Sequence, residues 1–107
     1  IRDYKVTGVQ TCALPICVES YYYGSDSSQR LASMVQTRML AATGMRDRGV
    51  KPARFYVLRH NNRPAALVEV GFVTGIEDFL RLQNAAWREV MAQAIAQGIL
   101  EYLKVGP

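Results

Sequence analysis

The sequence predicts an α/β domain in which a partial layered sheet is flanked by helices. Strand-like and helix-like segments alternate with short connections, an order typical of layered α/β folds. The segment AALVEVGF at 65–72 is almost continuously apolar, as in strands of parallel sheets that are covered on both faces. The C-terminal segment carries a broad apolar stripe at helical spacing, which predicts an amphipathic helix.

Length and composition limit the class of protein. The chain has 107 residues, of which 50% are hydrophobic and 9% aromatic, with a net charge of +4. This is enough for one small domain and argues against a disordered tail or a fibrous protein. No apolar run approaches the roughly 20 residues that cross a bilayer, and residues 1–15 show no signal peptide. Cys12 and Cys17 match neither the usual zinc C-x-x-C spacing nor a disulfide framework.

The first half of the chain contains a predicted strand and a predicted helix. The aromatic segment VESYYYG at 18–24 predicts a strand that ends in a turn at 24–26. Ser27 or Ser28 can cap the helix that follows, and Gly44 is a natural C-terminal stop. The apolar residues between the two ends recur at helical spacing: Leu31, Met34, Val35, Met39 and Ala42.

The second half begins with the segment MRDRGVKPAR at 45–54, whose charges, glycine and proline predict a surface loop. The β-branched and aromatic segment ARFYVLR at 53–59 predicts a second strand, and 65–72 predicts a third. IEDFLRLQN at 76–84 predicts a short helix or turn. A final helix then carries the apolar stripe: Trp87, Val90, Met91, Ala94, Ile95, Ile99, Tyr102 and Leu103.

Glu69 is the candidate functional residue. It lies near the carboxyl end of the third predicted strand, and strand alternation places it on the same face as Leu67 and Ala65. A carboxylate on an apolar face is costly unless it is paired or its pKa is raised. Ligand sites in open α/β sheets gather at the carboxyl ends of strands, which favours a functional role. The alternative is a solvated or paired edge carboxylate, with Arg48, Arg59 or Arg63 as the partner.

Other residue types give weaker candidates. His60 is the only histidine and lies in a polar turn, so the chain cannot assemble an ordinary catalytic zinc site, which needs three or four ligands. The cysteines lack a base that would activate a nucleophile. A basic group could face an anionic polymer, but Asp47 interrupts it and no aromatic platform is interleaved, so we expect a solvated surface and no nucleic-acid partner. That group is Arg46, Arg48, Lys51, Arg54, Arg59 and Arg63.

Several motifs in order carry a family resemblance. RDRGVKPARFYVLR, RPAALVEVGFVTGIEDFLRL and REVMAQAIAQGILEYL resemble the C-terminal half of zinc-dependent N-acetylmuramoyl-L-alanine amidases of the Amidase_3 type. The upstream segments VESYYYG and SSQRLASMVQ also fit this family, in which a GVE-type strand precedes an S-x-x-LA helix. The match runs from about Val18 to Leu103. The resemblance therefore implies the distal half of an Amidase_3-like domain.

The resemblance also implies a chemistry. The family cleaves the amide between N-acetylmuramic acid and the L-alanine of the stem peptide in peptidoglycan, with a zinc ion that polarises the carbonyl and activates water. The glutamate of the family's VEVGF motif acts in proton transfer, and Glu69 occupies that position. The implied partner is peptidoglycan, and the implied location is the periplasm or the cell exterior.

The resemblance has one departure. The family holds zinc with two histidines and a glutamate, in a GHGG-like motif, a following glutamate and a SIHAN-like motif, and this sequence contains none of these motifs. We therefore expect a fragment that alone neither binds catalytic zinc nor hydrolyses peptidoglycan. The alternative is a non-catalytic, zinc-less module that binds anionic cell-wall polymer through its basic loop.

The N-terminal residues suggest an origin for this departure. VTGVQTCALPI resembles the conceptual translation of a sequencing-library adapter, and 1–17 show no structural periodicity. Our hypothesis is that residues 1–16 derive from an adapter, with Cys17 at the junction. Residues 1–17 would then be a non-native, unstructured segment, and residues 18–107 would be the C-terminal part of an amidase catalytic domain.

Overall fold

The structure is a computed structural model that describes residues 17–71 and 76–105, apart from the side chains of 76–79 and 105. Residues 1–16, most of the segment predicted to be unstructured, lie outside the described residues. The described elements are β1 (Cys17–Tyr22), α1 (Asp26–Thr43), β2 (Arg46–Pro52), α2 (Tyr56–Arg59), β3 (Leu67–Glu69), α3 (Ile76–Gln83) and α4 (Ala85–Val105). Cys17 is buried and disulfide-bonded, a bond that the cysteine spacing did not predict.

The described strands form one mixed sheet in the order β2-β1-β3. β1 runs parallel to β2 and antiparallel to β3. Helix α1 packs on this sheet and α4 packs on α1, so the predicted α/β class with a partial sheet and flanking helices is confirmed. The third predicted strand is shorter than expected and pairs antiparallel. Val68 and Val70 contact the helical core on one face, an arrangement common in antiparallel sheets.

Two predictions about the middle of the chain were wrong. The segment predicted as a surface loop contains β2, because its backbone pairs with β1 even though most of its side chains are polar. The segment predicted as a strand contains the short helix α2 instead. Only Leu58 of α2 is buried, whereas Tyr56 and Val57 are 71% and 58% exposed, so these strand-forming residues have no sheet to pack on.

Helix α1 is capped by Ser25 rather than by Ser27 or Ser28. The backbone N–H of Ser28 donates to Oγ of Ser25 at 3.1 Å, which satisfies one of the free donors of the first turn. Ser28 is instead buried, and its Oγ accepts from the backbone N–H of Ala65 at 3.1 Å. Gly44 ends the helix as predicted, in a left-handed conformation with φ +69°.

The core lies between the sheet and the two long helices. Val18 supplies the sheet side, and alternate residues of β3 such as Val68 pack against the same cluster. The helices approach each other closely at Gly98 and are also joined by an ion pair between Arg38 and Glu101. The buried cluster consists of Val18, Val35, Met39, Met45, Met91 and Ala94.

Candidate functional site

Glu69 is the last residue of β3 and lies directly opposite Glu19 of β1 in the antiparallel ladder. Side chains of directly opposite residues project from the same face, with Cβ atoms about 4.5–5.5 Å apart. Because Val68 contacts the helical core, alternation places the half-buried Glu69 on the other face of the sheet. The register thus brings two carboxyl groups together on the face away from α1 and α4.

Glu19 is the more buried of the two carboxyl residues, with only 5% of its surface exposed. The hydroxyl of Tyr21 donates to its Oε1 at 2.6 Å. Lys51 forms an ion pair with Oε2, and Nε of Arg48 lies 3.5 Å from Oε1. Each carboxylate oxygen therefore has a charged partner, which offsets the cost of burying the charge.

The partners of Glu19 determine its protonation. Burial alone would raise the pKa of Glu19, but the hydrogen bonds from Lys51 and Tyr21 and the charges of Lys51 and Arg48 outweigh it. The pKa therefore lies below its usual value of 4.5. Glu19 is a fixed negative charge at neutral pH.

A bulge in β2 brings both cations to Glu19. Val18 pairs with Asp47 and Ser20 pairs with Val50, so Glu19 alone faces the two residues between them. In a regular strand, residues 48 and 51 would project from opposite faces because their separation is odd. The extra residue at Gly49, which adopts φ +91°, places both side chains on one face.

On the opposite face of β1, the buried side-chain amide of Gln36 forms hydrogen bonds with strand residues. Oγ of Ser20 donates to Oε1 of Gln36 at 2.7 Å, and Nε2 of Gln36 donates to the carbonyl of Val18 at 3.0 Å. The same Nε2 lies 2.9 Å from Oδ1 of Asp47, which also accepts the backbone N–H of Gly49 at 2.7 Å. Gln36 of α1 therefore forms hydrogen bonds with both β1 and the bulge of β2. These bonds stabilise the backbone of β1 on either side of Glu19.

The residues of the predicted basic group do not act as one free surface. Lys51 and Arg48 are engaged by Glu19, and Arg48 was one of the partners considered for Glu69. Nε of Arg59 donates to the carbonyl of Arg54 at 2.9 Å. These contacts give the polymer-binding alternative no added support.

The described ring contact of His60 is with Tyr56 and does not involve the carboxyl pair. The ring of His60 stacks on the exposed ring of Tyr56 with centroids 4.0 Å apart. Sequence reasoning missed Glu19, although it shares the signal that pointed to Glu69, a carboxylate among strand residues. Its partners Arg48 and Lys51 were assigned to a loop, so nothing connected them to β1.

The described residues do not complete a zinc site. Within 17–71 and 80–104, no group of three or more histidine, cysteine, aspartate or glutamate side chains could hold a metal ion. Glu19 and Glu69 are two carboxyl residues, and the oxygens of Glu19 already contact cations. We therefore derive no step through a metal from these residues.

A comparison with protein families identifies the chain. The profile described as N-acetylmuramoyl-L-alanine amidase, Amidase_3, matches residues 3–101. The chain belongs to the Amidase_3 family. Relatives with this description include LytC of Bacillus subtilis, which is 40% identical over 89 residues, and AmiA of Escherichia coli, which is 33% identical over 76 residues. These matches cover 80% and 71% of this chain, but 18% and 26% of the relatives.

Solved amidases share the fold of this Amidase_3 chain. AmiC2 of Nostoc punctiforme is 44% identical with a TM-score of 0.77, and an amidase of Clostridium difficile 630 is 33% identical with a TM-score of 0.83. The alignments cover 84% and 88% of this chain and 49% and 52% of the solved chains. The chain thus spans about half of these structures. Among the described residues, no helix combines the length and apolar character needed to cross a membrane.

Proposed function

We propose that this chain is part of a peptidoglycan hydrolase that cleaves the amide between N-acetylmuramic acid and L-alanine, and that Glu69 is its proton-transfer residue. The observation that carries the proposal is the position of Glu69, in VEVGF at the end of β3, on the face away from the helical core. Membership of the Amidase_3 family and the identity to LytC and AmiC2 support it. Because the substrate lies outside the cytoplasmic membrane, we place the protein there.

Amide hydrolysis needs a group of this kind. The attacking water loses a proton as it bonds to the carbonyl carbon, and the departing amine gains one as the C–N bond breaks. One carboxyl group can accept the first proton and donate the second, and such catalysis contributes about 10²–10⁴-fold to the rate. Glu69 is half-buried at a strand end, so substrate and water can reach it.

The family is generally zinc-dependent, and zinc supplies polarisation of the carbonyl and activation of water. The described residues hold no complete ligand set. We propose that this chain alone holds no catalytic zinc and is inactive, and that residues 18–107 act within a larger catalytic domain.

We also propose that residues 1–17 are not native, on the basis of their resemblance to adapter sequence. The family match begins at residue 3, so the boundary needs a direct test. Amplification of the gene from source DNA should replace residues 1–16 with a sequence that contains a SIHAN-like motif. Recovery of VTGVQTCALPI from genomic DNA would reject this boundary.

The function can be tested in a chimaera. Residues 18–107 replace the corresponding segment of the LytC catalytic domain, and the release of L-alanine amino groups from peptidoglycan is measured. We expect hydrolysis that Glu69→Gln lowers by about 10²–10⁴-fold. The matched control is Glu89→Gln, which changes an exposed carboxylate of α4 and should leave the rate unchanged. A folded Glu69→Gln chimaera with full activity would reject the role of Glu69.

A further inference from the structure

The carboxyl pair Glu19–Glu69 has an arrangement that the fold alone does not require. Like charges directly opposite each other in a ladder are destabilising. Glu19 is nevertheless buried, and two cations and a hydroxyl hold its carboxylate. A structural ion-pair network could be placed beside any residue of β3, but this one faces the carboxylate of the VEVGF motif.

We propose that Glu19 is a positioning residue for Glu69, whose fixed negative charge favours the protonated form of Glu69 and offsets the two cations of β2. The proposal deepens the function proposed above and rests on it. Glu69 must take up a proton from water and then release it to the amine. Without the charge of Glu19, Lys51 and Arg48 would favour the ionised form of Glu69 and hinder the uptake of that proton.

Two neighbouring strands supply charged groups on the face of Glu69. β1 supplies Glu19 and the hydroxyl of Tyr21, and β2 supplies Lys51 and Arg48. The strand order β2-β1-β3 places Glu19 between these cations and Glu69. Because Coulomb interactions weaken with distance, we expect Glu19 on the adjacent strand to influence Glu69 more than either cation of β2 does.

Helix α1 presents neutral groups at its described contacts with β1 and with the segment before β3. Helix α1 packs on the other face of β1, where its polar contact is the neutral pair Ser20–Gln36. Its contact with the segment before β3 is made by the hydroxyl of Ser28. The lowered pKa of Glu19 agrees with a carboxylate that stays ionised while its neighbour titrates.

The test measures the titration midpoint of the Glu69 carboxyl carbon by NMR in the full 107-residue chain, with the signal assigned by its loss in Glu69→Gln. Removal of a neighbouring charge shifts such a midpoint by about one pH unit. We expect Glu19→Gln to lower the midpoint by about that amount and Lys51→Met to raise it by a smaller amount. Glu89→Gln is the matched control and should leave it unchanged.

Opposite shifts distinguish electrostatic coupling from structural damage, because loss of structure would move both variants in the same direction. An unchanged midpoint in folded Glu19→Gln, or shifts of the same sign, would overturn the proposal. If Glu19→Gln does not fold, the test uses Lys51→Met alone, because Lys51 is partly exposed. An unchanged or lowered midpoint of Glu69 in Lys51→Met would then reject the coupling. The titration requires no hydrolysis of peptidoglycan. A negative result there rejects the role of Glu19, whereas a negative result in the chimaera assay rejects the proposed function.

Discussion

Gly98 of α4 lies so close to Val35 of α1 that a Cβ atom at Gly98 would be 2.7 Å from the Cα atom of Val35. This nearest atom and the Val35 nitrogen, at 3.0 Å, are backbone atoms, which cannot rotate away as a side chain can. We therefore expect Gly98→Ala to force the helices apart and to lower the free energy of unfolding by about 1–3 kcal/mol, as overpacking does. Urea denaturation measures this, and a Gly98→Ala variant as stable as the wild type would contradict the packing.

The exposed neighbour Gln97 provides the control for this prediction. Gln97→Ala changes the same helix without adding volume at the crossing. Its free energy of unfolding should stay within about 0.5 kcal/mol of the wild type.

The stability of the fold should depend on pH through Glu19. Its pKa is lower in the folded chain than the usual 4.5, so the unfolded chain binds more protons in that range. The stabilisation is fully present above the unfolded value and is lost as pH falls through the folded value. We expect Glu19→Gln to weaken the fall in unfolding free energy between about pH 5 and pH 3. The same pH dependence in both proteins would contradict this assignment.

Tyr21 allows a milder change in the same network. Tyr21→Phe removes the hydroxyl that donates to Glu19 but keeps the ring, which packs edge-to-face on Phe55 with centroids 5.1 Å apart. A hydrogen bond to a charged group contributes about 1.5–3 kcal/mol, so we expect a loss in that range by chemical denaturation. Tyr56→Phe, on a ring that is 71% exposed, should have little effect.

Ser25 is the position at which to test the start of α1. Ser25→Ala removes the oxygen that accepts the N–H of Ser28 and should cost about 1 kcal/mol of stability. Ser25→Asp should restore most of it, because aspartate caps the same donor. The sequence had favoured Ser27 or Ser28, so a larger loss in Ser27→Ala than in Ser25→Ala would contradict the observed cap.

The sequence predicted the elements that are marked by local signals. Apolar spacing was sufficient to predict helix α4, although Val90, Ile99 and Leu103 of the predicted stripe are exposed, and the end of α1 was marked by a glycine with φ +69°. Strand β2 has no such signal, because its side chains are mostly polar and its pairing with β1 is a backbone property. The misassigned α2 shows the converse, since its strand-forming residues meet no partner strand.

Of the two carboxyl residues in the candidate site, the sequence predicted Glu69 but not Glu19. Glu69 stands out locally, as a carboxylate in an otherwise apolar strand followed by a glycine. The importance of Glu19 depends on residues from two other strands and on the antiparallel register that places it opposite Glu69. Such pairings join distant parts of the chain, and a single sequence carries no record of them.

The bulge at Gly49 limits how the length of the chain can vary. A true surface loop accepts insertions and deletions, and the segment 46–52 looks like one. Deletion of Gly49 would leave Arg48 and Lys51 two positions apart in a regular strand, where both still project from the face of Glu19. Among relatives that keep both cations, we therefore expect alignments either to keep the residue at this position or to show a one-residue gap there, and other gaps to fall in the exposed turn at 60–64.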